Sequence, residues 1–152
     1  MYTENQLLGL EEEHKNEEAK NFFLELIKDE DWKDQFKMAN EPFKGSNGAD
    51  HFYKTPFDIL ITNGVKEMAD TNQAYWFIDF VLSFTINTNI PKDFQTWYLL
   101  IKDGVNYIIG EDGNHNVFVS YILPFTDFKD YKENTAVCLW LADNTLLLPE
   151  EY

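Results

Sequence analysis

The chain has 152 residues, 44% hydrophobic and 16% aromatic, a composition that suits one domain with one core and argues against disorder. Its 27 acidic residues outweigh 12 basic ones to give a net charge of −15, and every basic residue is lysine. Arginine clamps on phosphate and arginine readers of guanine are therefore excluded, and binding DNA or RNA directly would set two polyanions against each other.

A single cysteine, Cys138, leaves no internal disulfide and fits a reducing cytoplasm. Residues 1–10 carry no basic, apolar leader, and no apolar run reaches the roughly 18–20 residues that span a bilayer.

Residues 1–41 contain twelve acids and five lysines, hence −7 in about a quarter of the chain. Phe22 with Leu26, Phe23 with Ile27, and later Trp32 with Phe36 repeat at i, i+4. The spacing predicts an amphipathic helix or helical hairpin. Its acids are either simply solvated or, at Glu11, Glu12, Glu13, Glu17 and Glu18, a candidate partner-binding face.

Glu41-Pro42 marks a boundary, dividing an acidic N-terminal elaboration (1–41) from an α+β core (42–152) within one domain. Gly45-Ser46-Asn47-Gly48 supplies a loop. Phe43-Lys44-Gly45-Ser46 beside it lacks the spacing of a phosphate loop. Aromatics Phe52, Tyr53 and Phe57 lead to the apolar run Ile59-Leu60-Ile61, and Thr62-Asn63-Gly64 starts a helix through Val65 and Met68.

Residues 74–84 then carry one charge, Asp79, among ten uncharged and mostly apolar neighbours. Each such large apolar side chain contributes about 1.5–3 kcal/mol when fully buried, so the segment is expected in the middle of the core. Asp70-x-x-Gln73 resembles a capping box and favours a helix there, with a buried strand as the competing reading. Asp79 is then a candidate buried polar residue, satisfied by a Tyr or Trp donor or held at a shifted pKa. No second acid lies at helical spacing to pair with it.

The remainder reads as an antiparallel meander of four or five strands. Residues 94–101 place Trp97, Leu99 and Ile101 on one face, and Asp103-Gly104 is a two-residue hairpin signal. Strands over 105–109, 117–123 and 135–141 follow, and Asp143-Asn144 turns into a last one at 145–148. Helices first and strands second predict an α+β domain, with N-terminal helices and a buried central helix covering one face of the sheet.

Several of these residues also carry a resemblance. Thr62-Asn63-Gly64-Val65, Ala74-Tyr75-Trp76 with Asp79, Phe94-Gln95-x-Trp97, Asp112-Gly113-Asn114, Thr126-Asp127-Phe128 and the ending Leu148-Pro149-Glu150-Glu151-Tyr152 appear in that order. From about residue 43 onward the chain resembles an uncharacterised bacterial domain family found on mobile elements and in phages. The resemblance implies a fold unit and a genomic neighbourhood, and it brings no reaction with it; with the lone cysteine, the expected location is the cytoplasm of a bacterial host.

Catalytic and metal-binding patterns are weak. His14, His51 and His115 have no metal-ligand spacing, and one cysteine cannot build a zinc cluster. Asp112, Asn114 and Asn116 imitate the start of a calcium loop, but Val117 and Leu123 stand where its glycine and last glutamate belong. Cys138 lies between Val137 and Leu139, as an inert packed thiol would. No cofactor is expected.

The expectation is a non-enzymatic protein-binding module that engages a basic, nucleic-acid-binding protein, as an anti-CRISPR inhibitor of a host defence would. A small enzyme built from Asp79, Asp127 and His51 or His115 is one alternative. An assembly subunit is another; the sequence leaves the oligomeric state open. If charge serves solubility alone, the aromatic loops around Phe52 and Phe125 become the place to look.

Overall fold

The structure is a computed structural model and describes residues 16–39, 52–84, 93–123 and 134–149. In chain order it contains α1 (Glu17–Leu26), a 3-10 turn (Trp32–Gln35), β1 (Lys37–Met38), β2 (Phe52–Lys54), β3 (Leu60–Thr62), α2 (Asn63–Asn72) and α3 (Tyr75–Ser83). Five strands follow: β4 (Phe94–Lys102), β5 (Val105–Glu111), β6 (Val117–Leu123), β7 (Thr135–Ala142) and β8 (Thr145–Leu147).

All eight strands join one sheet, ordered β2-β3-β8-β7-β4-β5-β6, with β1 paired to β7. The five strands expected from the sequence all form, and the two expected turns have the required backbone. Asp103 and Gly104 (φ 51° and 78°) and Asp143 and Asn144 (φ 51° and 58°) are left-handed at both central positions, which matches the twist of the flanking strands.

The meander is corrected in two respects. After β6 the chain crosses back, so that β7 lies on the other side of β4; and β1, β2 and β3 add three strands of two or three residues each. The pairs β1·β7 and β3·β8 are parallel, which makes the sheet mixed. Strands this short show no readable period, and parallel partners are chosen by how distant segments pack.

β4, the longest strand, lies between β7 and β5, and alternation along it defines two buried faces. Trp97, Leu99 and Ile101 enter one apolar cluster, while Tyr98 and Leu100 enter the other. Gly110 on β5 lies opposite Trp97, and a Cβ there would stand 2.9 Å from the indole, so glycine lets the ring lie flat against the strand.

Over the Trp97 face lie α2 and α3. The Thr62 hydroxyl caps α2 by accepting from the Val65 N–H at 3.2 Å, as the sequence predicts. The capping box at Asp70-x-x-Gln73 is corrected. Asp70 falls in the last turn of α2, Gln73 ends it at φ 55°, and the cap residue of α3, Ala74, makes no side-chain cap bond.

α3 buries Phe77, Ile78, Val81 and Leu82, half-buries Trp76 and Phe80, and turns Tyr75, Asp79 and Ser83 to solvent. Asp79 is therefore exposed, not a buried polar residue. A helix lying on a sheet buries the stripe facing it, and Asp79 falls on the opposite stripe, in line with Tyr75 and Ser83 at i±4.

The second face is covered too, against the expectation of helices on one face. The Asn16 N–H donates to the Ser120 carbonyl at 2.9 Å, Ser120 Oγ donates to the Asn16 carbonyl at 3.0 Å, and the Asn16 side chain caps α1 by accepting from the Ala19 N–H. α1 inserts Ala19, Phe23 and Leu26; Trp32 then packs edge-on against Tyr98 at 5.7 Å, and β1 joins β7. Residues 16–38 thus form a strap across the sheet from β6 to β7.

Candidate interaction surface

Of the five candidate partner-binding acids, Glu17 and Glu18 occupy the first turn of α1 and are exposed. Carboxylates there complement the positive end of the helix dipole, so their exposure costs the helix nothing. The charge of Glu18 also acts on the strand beneath. Burial first, and then the charges of Glu18 and Asp103, push the Tyr107 hydroxyl above its ordinary range. Glu11, Glu12 and Glu13 lie outside the described residues, as do His14, His51, Phe125 and Asp127.

Of the enzyme constellation, Asp79 and His115 are described, and they lie apart. Asp79 stands on the outer side of α3, whereas His115 meets Phe23 of the strap at 6.1 Å on the other side of the sheet. Among the described residues no group of three or more His, Cys, Asp or Glu side chains is placed to hold a metal ion. Asp112, the first residue of the imitation calcium loop, spends its carboxylate on the turn. It accepts from the Asn114 N–H at 2.8 Å, the Asn116 N–H at 3.2 Å and Asn116 Nδ2 at 2.8 Å. These bonds, the Asn116 side chain foremost, hold it below the usual carboxylate range. Cys138 is buried, as its apolar flanks imply.

A buried carboxyl does exist, at a residue sequence reading passed over. Glu111, 1% exposed, ends β5 opposite Thr96 on the strap face and accepts from the Gly113 N–H. Burial pushes it above the usual carboxylate range, against the pull of that N–H and of His115. Its only sequence signal is a charge at the end of an alternating strand, which reads equally well as the first residue of a polar turn.

Around Phe52, which the sequence had marked as an alternative place to look, lies an exposed aromatic corner. Phe52 (53% exposed), Tyr53 (39%) and Tyr75 (39%) are the exposed large hydrophobic residues among those described. Lys66 of α2 ties two of them together. Its Nζ lies 5.4 Å from the Tyr53 ring centre and 2.9 Å from Asp70, whose carboxylate also feels the Tyr75 hydroxyl. The Tyr75 hydroxyl first, and then the Lys66 ammonium, lower the Asp70 carboxyl, and Asp70 raises the Lys66 ammonium.

The architecture is thus an α+β chain whose mixed sheet is covered on both faces, with an acidic strap on one side and an aromatic corner at one edge. Residues 37–152 match a family described as a family of unknown function, DUF6876, and the chain belongs to it. No curated protein and no solved structure shows significant similarity to the chain. The family match begins at β1, so α1 and the Trp32 turn precede it. No helix among the described residues is long and apolar enough to cross a membrane.

Proposed function

We propose that this chain is a non-enzymatic acidic protein-binding module that docks on a basic protein surface. One observation carries the reading: a net charge of −15 built without arginine, with Glu17 and Glu18 held exposed on a helix whose other side is anchored in the core. Such a surface is repelled by nucleic acid and attracted to the groove that binds it. Occupying the groove of a nucleic-acid-targeting defence protein would inhibit that protein, as an anti-CRISPR does, in a bacterial cytoplasm.

The test is kinetic. Partners captured from a bacterial lysate at low salt are released at high salt, then measured singly. Association should slow as salt rises, because exposed charges are screened over about 10 Å at 0.1 M. Neutralising Glu11, Glu12, Glu13, Glu17 and Glu18 together should slow association more than it speeds dissociation. Salt-independent association, unchanged by the five substitutions, would reduce the charge to a solubility device.

A further inference from the structure

Among the described residues β2 is the last strand on its side of the sheet, and its inner side pairs antiparallel with β3. Beyond β2 the Thr55 N–H donates to the Ile59 carbonyl at 3.1 Å, which fixes the phase of the ladder. Bonded pairs alternate along an antiparallel pair, so Tyr53 exchanges bonds with Ile61 while the main-chain N–H and C=O of Phe52 and Lys54 point away from β3. All three β2 side chains are exposed. Tyr53 leans to the α2 side, where Lys66, Asp70 and Tyr75 gather, and alternation puts Phe52 and Lys54 on the other side of the strand. An open strand edge thus lies between two aromatic flanks.

We infer that this corner is a docking site for an extended, arginine- and lysine-containing segment of a partner protein, added to β2 as a further strand; the inference rests on the binding-module reading above. Three features choose this occupant. The open main-chain groups of Phe52 and Lys54 fit an extended backbone and no other secondary structure. Exposed Phe and Tyr faces attract guanidinium and ammonium groups, and the corner already shows the contact, with Lys66 over Tyr53. The charge is complementary, because Asp58, Glu67, Asp70 and Asp79 on the surrounding elements outnumber Lys54 and Lys66, in a chain of −15. A second copy of this acidic chain would bring like charge to the same edge. With only three residues of edge, main-chain bonds set direction and register, and the aromatic side chains supply most of the hold.

The experiment uses the full chain, isotopically labelled for amide NMR, and two nine-residue peptides in which threonine alternates with arginine or with glutamate. The arginine peptide should bind at low salt and shift amides at residues 52–54, 66, 70 and 75, while the glutamate peptide should not. Tyr53→Ala with Tyr75→Ala should weaken the arginine peptide at least tenfold. Lys54→Pro removes an outward N–H at a position where an edge strand tolerates proline. It should weaken binding, whereas Lys54→Ala, which removes only a like charge, should leave binding equal or tighter. Equal binding of both peptides would overturn the chemistry. Shifts confined to α1 around Glu17 and Glu18 would overturn the corner and leave the acidic-module reading standing. If the arginine peptide fails to bind while a captured basic protein binds with steep salt dependence, the strand-addition mode is wrong. Failure of both removes the module reading as well.

Discussion

The two faces of the sheet are buried by different kinds of cover. Over the Trp97 face, α2 and α3 come from within the family match and follow directly from β3, so the cover and the strand beneath it are close in sequence. Over the Tyr98 face, the cover is a helix of ten residues and one 3-10 turn that precede the family match, tied down by the two-residue strand with which the match begins. The helix-covered face is mostly aliphatic, with Gln95 accepting from Trp97 Nε1 at 2.9 Å. The strap-covered face has a smaller cluster with a larger aromatic share, with Phe22 stacked on Tyr107 at 4.0 Å and Phe23 against Tyr98 at 5.2 Å, and it includes the carboxyl of Glu111. The first face is thus the main body of the core. The second is an apolar surface that this chain closes with its own N-terminal segment.

That contrast sets the order of expected effects. Trp97→Ala should be the most damaging substitution, costing about 3–5 kcal/mol, since it empties a fully buried site beneath the helices; urea unfolding measures it. The whole sheet should lose protection together. Phe23→Ala should cost somewhat less, about 3 kcal/mol, and its loss should be local. Native-state hydrogen exchange should speed α1 amides far more than those of β4 and β7. Equal acceleration in both would mean the strap and the helices belong to one cooperative unit, and the comparison would fail.

A smaller effect concerns pH. The folded Glu111 carboxyl lies above its unfolded value near 4.5, so its contribution to stability is full below that value and is lost as pH rises through the folded pKa. Glu111→Gln, neutral throughout, should therefore lose less stability than the parent chain over the same rise, read from urea midpoints at successive pH values. A parallel pH dependence in the two proteins would show that Glu111 is not the group responsible. The smallest effect is expected at Asp79. Exposed on α3, it should tolerate Asn or Leu within about 0.5 kcal/mol, and a larger loss would return it to the core.

How much of this was legible in the sequence depends on the distance over which each feature is decided. The five expected strands, both two-residue turns and the Thr62 cap were determined locally. Alternation, left-handed turn residues and a hydroxyl three residues before an N–H act within one turn or hairpin. The pairing of Phe22, Phe23 and Leu26 likewise announced an apolar helix stripe. It did not say which face of which sheet would receive it.

Tertiary structure alone decided the rest. The place of β7 beside β4, the parallel partners of β1 and β3, and the strap over the Tyr98 face join segments far apart in sequence, where no local period records the choice. The same holds for the sites. Asp79 looked buried because its neighbours are apolar, yet a helix resting on a sheet has an outer stripe, and Asp79 is on it. Glu111 looked like a turn residue, and became buried because the strap closes over it. Tyr75 looked like core with the rest of its segment, and is exposed because its helix begins at the rim of the sheet. Burial depends on what packs on top of a residue, and the sequence around that residue does not contain it.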